Sequence, residues 1–190
     1  QKEPLHFIGF SFKKSPKLRY FRRITAPSAT NFIQDCSEFF HEHEKPDCIK
    51  VDNAAAHIGS HSGKRNISRV MAFLLENEIV PIFSVPRRPF TQASIEGNNS
   101  VFARKFWSQR TFSSVEEIDI QLEWFNQDSK IYTGYHPPSA ESWTRQSFEP
   151  KVYFLRQVKE DPKSDSYGTI NVLNEWISLP KAYINLFVLA

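Results

Sequence analysis

The chain has 190 residues and a formal charge of +3, which fits one ordinary domain with a small addition. Hydrophobic residues make up 40% and charged residues 24%, so the sequence can form a packed core, and global disorder is excluded. No apolar run approaches the ~18 residues of a membrane span. Two cysteines exclude a disulfide framework and a four-cysteine zinc site. We therefore expect a soluble, cytoplasmic protein.

The first third of the chain begins with a predicted hairpin. Residues 5–12 and 18–24 are aromatic and β-branched runs on either side of a short polar loop. Ser28 then predicts a helix N-cap, with Asp35 on the polar face of that helix. The apolar face has helical spacing. Its members are Phe32, Ile33, Cys36, Phe39, Phe40 and His43.

The middle of the chain alternates strand and helix patterns. We predict a strand at 48–52, a polar loop at 53–66, a helix near 67–75, a strand at 79–85 and helices at 92–107 and 115–127. Pro81 favours an edge position or a terminus for its strand, because proline has no N–H to give to a neighbour. This order predicts an α/β fold, with a mixed sheet between helical layers.

The pattern changes after residue 138. The runs 151–158, 168–173 and 182–189 alternate or are continuously apolar, with proline-containing turns between them. They predict the start of a small β-barrel, or SH3-like, module at 151–190. The chain begins without methionine and ends inside an apolar run, so we expect truncation at both ends.

Two carboxylates are the best candidates for chemistry. Asp52 ends a predicted strand, where open α/β sheets place reactive groups, and Glu96 lies early on a later helix. Oxygen ligands of this kind suit Mg²⁺ or Mn²⁺, and a pair of such ions can promote phosphodiester chemistry. The alternative is structural, with a turn-forming aspartate and a glutamate that complements the helix dipole.

Two basic clusters are candidates for phosphate contact. The hairpin cluster contains Lys13, Lys14, Lys17, Arg19, Arg22 and Arg23. The second cluster contains Arg87, Arg88, Arg104, Lys105 and Arg110. Such clusters supply the salt-dependent part of nucleic-acid affinity, although a solvated surface has the same composition.

The histidines and cysteines give weaker signals. His57 and His61 lie four apart in the predicted loop, which does not hold both on one face as a helix would, so zinc is disfavoured. Cys36 lies on the apolar face of a helix and Cys48 in a predicted buried strand, so we interpret both as inert core thiols.

The flanks of the two carboxylates resemble a known family. Asp52 stands in Ile-Lys-Val-Asp-Asn, and Glu96 in Pro-Arg-Arg-Pro-Phe-Thr-Gln-Ala-Ser-Ile-Glu-Gly-Asn-Asn, beginning at Pro86. Together with Trp-Phe-Asn at 124–126 and Tyr-His-Pro-Pro at 135–138, they resemble the catalytic core of DDE transposases and retroviral-type integrases. The gap of 43 residues between the two acids is longer than the family's usual spacing, and Ala54 replaces its usual glycine.

The resemblance implies an RNase H-like mixed sheet at 1–138, a linker at 139–150 and the SH3-like module at 151–190. It implies DNA transposition or integration by a mobile element: phosphodiester hydrolysis and strand transfer with two Mg²⁺ or Mn²⁺ ions. Asp52 and Glu96 would be catalytic metal ligands. The DNA-binding candidates are Asn99, Arg87, Arg88, Arg104, Lys105, Lys13, Lys14 and Lys17.

The partners implied are double-stranded DNA, as element ends and target, and further copies of the chain. In a bacterium the protein would associate with the nucleoid. The family's first aspartate would precede Gln1, so we expect this chain alone to be inactive. Two alternatives stay open: a non-catalytic DNA-binding remnant, and an RNase H-like nuclease that cuts without joining.

Overall fold

The computed structural model describes residues 4–12, 17–43, 45–59, 67–86, 93–137 and 148–190. The elements are β1 (His6–Ser11), β2 (Arg19–Ile24), α1 (Ala29–Glu42), β3 (Cys48–Val51), α2 (Ala55–Ile58), α3 (Arg69–Glu76), β4 (Val80–Phe83), α4 (Ala93–Phe102), α5 (Val115–Thr133), β5 (Tyr153–Gln157), β6 (Lys159–Asp161), β7 (Ser164–Val172), β8 (Glu175–Pro180) and β9 (Phe187–Leu189). A π-helical turn, Ala103–Trp107, follows α4, and a 3₁₀ turn, Lys181–Tyr183, precedes β9. The α/β class is confirmed.

The strands form three sheets, with the orders β1-β2, β3-β4-β5-β9 and β6-β7-β8. The chain divides into two compact units. Unit 1 contains Gln1–Glu44 and Gln92–Trp143, and unit 2 contains Lys45–Thr91 and Thr144–Ala190. Among the helices of the described ranges, none is long and apolar enough to cross a membrane. The predicted domain boundaries stay a prediction.

Unit 1 is built on the predicted hairpin, which is confirmed. β1 and β2 pair antiparallel, with Gly9 opposite Phe21. A Cβ on Gly9 would lie 2.8 Å from the Phe21 ring, so only glycine leaves room for that ring. Because side chains alternate along a strand, Phe10 faces the other way and stacks on Phe39 of α1 at 4.2 Å between ring centroids.

Helix α1 begins where predicted. The Ser28 hydroxyl accepts a hydrogen bond from Asn31 N at 3.1 Å, which is N-cap geometry. Phe32, Cys36 and Phe39 are buried as the spacing predicted. Asp35 is also buried, contrary to its predicted place on a polar face, because Arg22 of β2 lies 3.6 Å from its carboxylate.

Helices α4 and α5 cover the other face of the hairpin. Phe21 stacks on Phe102 of α4 at 4.2 Å between ring centroids, within an aromatic core. α5 runs past the predicted end at residue 127 and stops at Gly134, whose φ of 66° ends the helix in the left-handed conformation. The Asn126 amide, on α5, holds the backbone of Phe21: its Oδ1 accepts from Phe21 N at 2.9 Å, and its Nδ2 donates to Phe21 O at 2.8 Å.

Unit 2 contains the β3–β4 pair, which is parallel and runs in register from Cys48↔Val80 to Val51↔Phe83. Of the two positions that Pro81 favoured, the edge is wrong, because β4 lies between β3 and β5, whereas Pro81 does lie next to a terminus, as the second residue of β4. Val80 and Ser84 donate toward β3, so the Pro81 nitrogen faces β5, whose pairing begins only opposite Ile82. The missing N–H therefore leaves no bond unmade.

Cys48 corrects another prediction. It is exposed, not buried, because it is the first residue of β3, which is an edge strand of its sheet. Cys36 is buried as predicted, and burial raises the pKa of its thiol. Of the two thiols, only Cys36 fits the interpretation of an inert core residue.

The strands after residue 150 belong to the same unit. β5 pairs parallel with β4 and antiparallel with β9, and Phe154 stacks on Phe83 at 5.0 Å between ring centroids. β7 and β8 form a hairpin whose two-residue turn, Leu173-Asn174, has φ values of 47° and 62°. Without glycine this turn gives little sequence signal, so β8 was not predicted.

Candidate functional site

The candidate site in unit 2 is the end of the β3–β4 pair. β3 ends at buried Val51, and Asp52 and Asn53 follow it. On β4, Ser84 continues past the last strand residue and its N–H donates to Val51 O at 3.0 Å. Asp52 therefore leaves the sheet at the carboxyl end of a parallel strand, as predicted, and carboxyl ends are where open α/β sheets bind ligands.

Local hydrogen bonds fix the Asp52 carboxylate. Its Oδ1 accepts from Ala54 N at 3.0 Å, which forms an Asx turn that leads into α2. α2 lies in the segment predicted to be a loop, and it brings His57 back so that its Nδ1 lies 2.6 Å from the same Oδ1. An ionised carboxylate only accepts, so Nδ1 carries the proton.

The electrostatics of this contact favour an ionised Asp52. The hydrogen bond from His57 is the largest effect on the carboxyl, and with the Ala54 N–H it holds the pKa of Asp52 below its ordinary value, against the effect of burial. The side chain of Asp52 is 47% exposed, and the contacts that it makes with described residues fall on Oδ1. Oδ2 is thus placed to accept another donor or a cation.

His57 was not predicted as a partner of Asp52. The sequence disfavours zinc at His57 and His61, and His61 lies outside the described residues. The available signal was the Asp-Asn-Ala-Ala-Ala-His order, in which an Asx turn starts one helical turn that returns the histidine to the aspartate. The hydroxyl of Ser68, the N-cap of α3, donates to His57 O and so links α2 to the start of α3.

Asn53 and Arg156 complete the end of the sheet. Asn53 Nδ2 donates to Ser84 O, which ties the two strand ends together. Arg156, on β5, donates to Ser84 O at 3.2 Å and to Asn53 Oδ1 at 3.4 Å. Sequence reasoning missed Arg156, because nothing in its local pattern indicated that β5 pairs with β4.

Glu96 lies in unit 1, on the first turn of α4, and it is exposed. Asn99 follows it by three residues and is exposed as well, so the predicted shared face is available on this helix. Asp52 and Glu96 belong to different units, and their convergence on a shared cation stays a prediction. In the ranges that the structure describes, no group of three or more His, Cys, Asp or Glu residues could hold a metal ion.

The basic clusters divide into paired and exposed residues. The hairpin places Arg22 among Asp35, Glu38 and Glu42 of α1. Arg23 faces the opposite way and binds Asp119 of α5 through two bonds of 2.7 Å and 2.6 Å. These two arginines are therefore engaged in ion pairs.

Four of the DNA-binding candidates are exposed: Asn99, Lys17, Arg104 and Lys105. Arg104 and Lys105 lie on the π-helical turn, where Arg104 Nε donates to Ser100 O at 3.4 Å and Lys105 Nζ lies 5.6 Å from the centroid of the Tyr132 ring. The remaining candidates, Lys13, Lys14, Arg87 and Arg88, lie outside the described residues.

Among the comparisons with known proteins, the one with solved structures gives matches. No family model matches the sequence. No curated protein matches it either. Among solved structures, the fold is similar to a chain of the cryo-EM structure of the simian T-cell lymphotropic virus intasome in complex with PP2A regulatory subunit B56 gamma, with a TM-score of 0.52 and 12% identity over 96% of this chain and 76% of that chain. At this identity the likeness concerns the fold alone.

Proposed function

We propose that this chain is part of a DDE-type DNA recombinase, a transposase or integrase that cuts and rejoins DNA strands. The observation that carries the proposal is the place of Asp52, at the carboxyl end of a parallel strand pair, in a fold similar to that of an intasome chain. In this proposal the catalytic core at 1–138 is RNase H-like, and the strands at 151–190 form an SH3-like module. The linker is 139–150.

The donor atoms fit a magnesium or manganese ion. Asp52 offers a carboxylate that is ionised, half-exposed and engaged by described residues at Oδ1 only, and Glu96 offers an exposed carboxylate on a first helical turn. Hard oxygen ligands of this kind suit both metals, which would supply charge stabilisation at the phosphodiester. The His57 hydrogen bond would then orient the Asp52 carboxylate, as partners of metal-binding carboxylates do.

DNA contact would come from the exposed cations and from Asn99. Arg104 and Lys105 lie on the turn that continues α4, the helix of Glu96, so they can reach phosphates of a strand that passes along this helix. Lys17 and the predicted Lys13, Lys14, Arg87 and Arg88 would add further phosphate contacts. Two DNA ends must be held together in such a reaction, so we propose that the protein acts as a homo-oligomer.

The test is strand cleavage and joining by the natural protein that carries this chain, with Mn²⁺ and oligonucleotides that represent element ends. Asp52→Asn and Glu96→Gln keep side-chain size and remove charge, and each should abolish both reactions while DNA binding persists. The exposed Asp165→Asn and Glu123→Gln are matched controls and should stay active. Full strand transfer by both active-site variants would refute the assignment, and cutting without joining would favour the nuclease.

One observation favours a second candidate, a DNA-binding protein without catalysis. Asp52 Oδ1 is already bonded by Ala54 N and His57 Nδ1, which is how an aspartate behaves when it only shapes a turn. In that case Asp52→Asn would lower stability. DNA binding by the natural protein would then survive chelation with an unchanged affinity, and no cleavage would occur with Mn²⁺.

A further inference from the structure

Arg22 and Arg156, both on strands, are half-buried, and their surroundings differ in charge. Arg22, on β2, lies among the three carboxylates of α1 described above. Burial lowers the pKa of Arg22, but the hydrogen bond to Tyr20 and the nearby negative charges more than offset it. Arg22 is thus a cation whose counter-charges are built into the fold.

Arg156, on β5, has only neutral acceptors in the described part of the chain. Its Nε donates to Asn171 O at 2.9 Å, and its Nη1 donates to Leu155 O at 2.9 Å and to Ser84 O at 3.2 Å. Its Nη2 donates to Asn53 Oδ1 at 3.4 Å. A guanidinium has five N–H groups, two of them on Nη2, so one N–H is left over from these contacts.

Burial without a counter-charge changes the pKa of Arg156. Desolvation lowers the pKa of its guanidinium to about 10, which still leaves the group charged near neutral pH. Asp52, the carboxylate adjacent to Asn53 in the chain, is hydrogen-bonded to His57. A half-buried cation that lacks an acidic partner is costly for a fold, and a negatively charged ligand removes that cost.

The location of Arg156 indicates which ligand. Its Nη groups lie at the carboxyl ends of β3 and β4, against Asn53 and Ser84, which is the edge at which α/β sheets bind ligands. We propose that Arg156 binds a phosphate oxygen at this edge, through the remaining Nη2 N–H and the charge of its guanidinium. The identification of that phosphate as part of a DNA strand rests on the proposed function; the phosphate site itself does not.

The first experiment uses the unmodified chain and inorganic phosphate. The arginine Nε–Hε signals are followed by NMR during the titration, with sodium chloride at matched ionic strength as the reference. Phosphate should shift the Arg156 signal in a saturable way and leave the Arg22 signal in place. An Arg156 signal that moves no more than it does in chloride would overturn the site.

The second experiment separates charge from structure. Arg156→Gln removes the cation and Arg156→Lys keeps it but loses the bonds that need the guanidinium fork. Arg156→Gln should weaken phosphate binding at least fivefold, whereas Arg156→Lys should retain most of it. Equal loss in both variants would mean that Arg156 only supports the carbonyls around it. Arg22→Gln is the matched control, since it also removes a half-buried arginine, and it should bind phosphate normally.

The third experiment identifies the source of the phosphate. The slope of log affinity against log salt is measured for a DNA duplex, and Arg156→Gln should reduce it by about one phosphate contact while Arg156→Lys and Arg22→Gln should not. Phosphate binding with no DNA binding in any variant would keep the site and reject the proposed function. DNA binding with an unchanged slope in Arg156→Gln would keep the proposed function and reject Arg156 as a DNA contact. If Arg156→Gln does not fold, the titrations of the unmodified chain and of Arg156→Lys still test whether Arg156 binds phosphate.

Discussion

At the scale of single residues, His43 is the most unusual group in unit 1. It is buried at the end of α1, against the rings of Tyr20, Phe39 and Tyr135. Neither of its ring nitrogens has a hydrogen-bond partner among the described residues. Burial, together with the charges of Lys130 and Arg22, lowers the pKa of His43 to about 4. The folded chain thus holds a neutral imidazole in a ring-lined site.

The neutral His43 predicts that the free energy of unfolding decreases as the pH is lowered. Between the ordinary pKa of 6.5 and the folded value of about 4, the unfolded chain takes up a proton at His43 that the folded chain does not. Stability should therefore drop by on the order of 3 kcal/mol as the pH falls through that window. Urea unfolding at pH 7.5 and pH 4.5 measures the drop.

Two variants test whether His43 causes this loss of stability. His43→Phe should remove most of the drop, because phenylalanine fits the ring contacts and does not titrate. The exposed His41→Gln, two residues away on the same helix, should keep it. A His43→Phe variant as sensitive to pH as the natural chain would show that other groups cause the loss.

At the scale of elements, two glycines should respond in opposite ways to alanine. A Cβ on Gly168, in β7, would lie 2.5 Å from Val158 Cγ1 and 2.9 Å from Ile184 Cγ1, so Gly168→Ala must displace packed side chains and should lose about 2 kcal/mol of stability. Gly97, in α4, has nothing within 4 Å of that position, so Gly97→Ala should gain up to about 1 kcal/mol. Thermal unfolding of both variants checks the signs, and a stable Gly168→Ala would contradict the packing described.

The clamp between α5 and β2 gives another prediction at this scale. Asn126→Ala leaves the N–H and C=O of Phe21 without their partner in a buried place, so we expect a loss of about 2–4 kcal/mol. Asn126→Asp should be no better, since a carboxylate cannot donate to Phe21 O. The exposed neighbour Gln127→Ala should be neutral in the same chemical unfolding measurement. A small effect of Asn126→Ala would mean that water replaces the amide.

Elements were predictable from the sequence where one local signal sufficed. The β1–β2 hairpin and the Ser28 cap follow from runs and caps that need no tertiary information. β8 was missed because Leu173-Asn174 makes a tight turn without glycine, and the edge position inferred from Pro81 failed because β5 joins β4 from far along the chain. The pairing of strands that are far apart in the chain cannot be predicted from the pattern of residues within one segment.

The candidate site likewise contains residues that local sequence could place and residues that it could not. Asp52 could be placed at a strand end from its own neighbours, whereas the roles of His57 and Arg156 depend on a short helix and on a strand from residue 153 onward. The buried Asp35 and exposed Cys48 were mispredicted for the same reason. Their surroundings are set by Arg22 on another element and by the edge position of β3.

At the scale of the whole molecule, unit 2 joins segments that are far apart in the chain. Phe154 of β5 stacks on Phe83 of β4, so the strands after residue 150 share a core with β3 and β4. Phe154→Ala should cost about 3–5 kcal/mol and should lower hydrogen-exchange protection of the Ser84 amide, which bonds to Val51 O. The exposed Leu189→Ala should change neither. Unchanged protection at Ser84 in Phe154→Ala would show that the two segments fold separately.

The amide of Asn126 has a consequence beyond stability. Outer strands of sheets expose N–H and C=O groups that can template pairing with another polypeptide. At Phe21 both groups are taken by one side chain, which offers the same donor and acceptor as a neighbouring strand but cannot be extended. At this point the hairpin is therefore protected from pairing with a strand of another copy. A hairpin rich in aromatic residues would otherwise be prone to such aggregation.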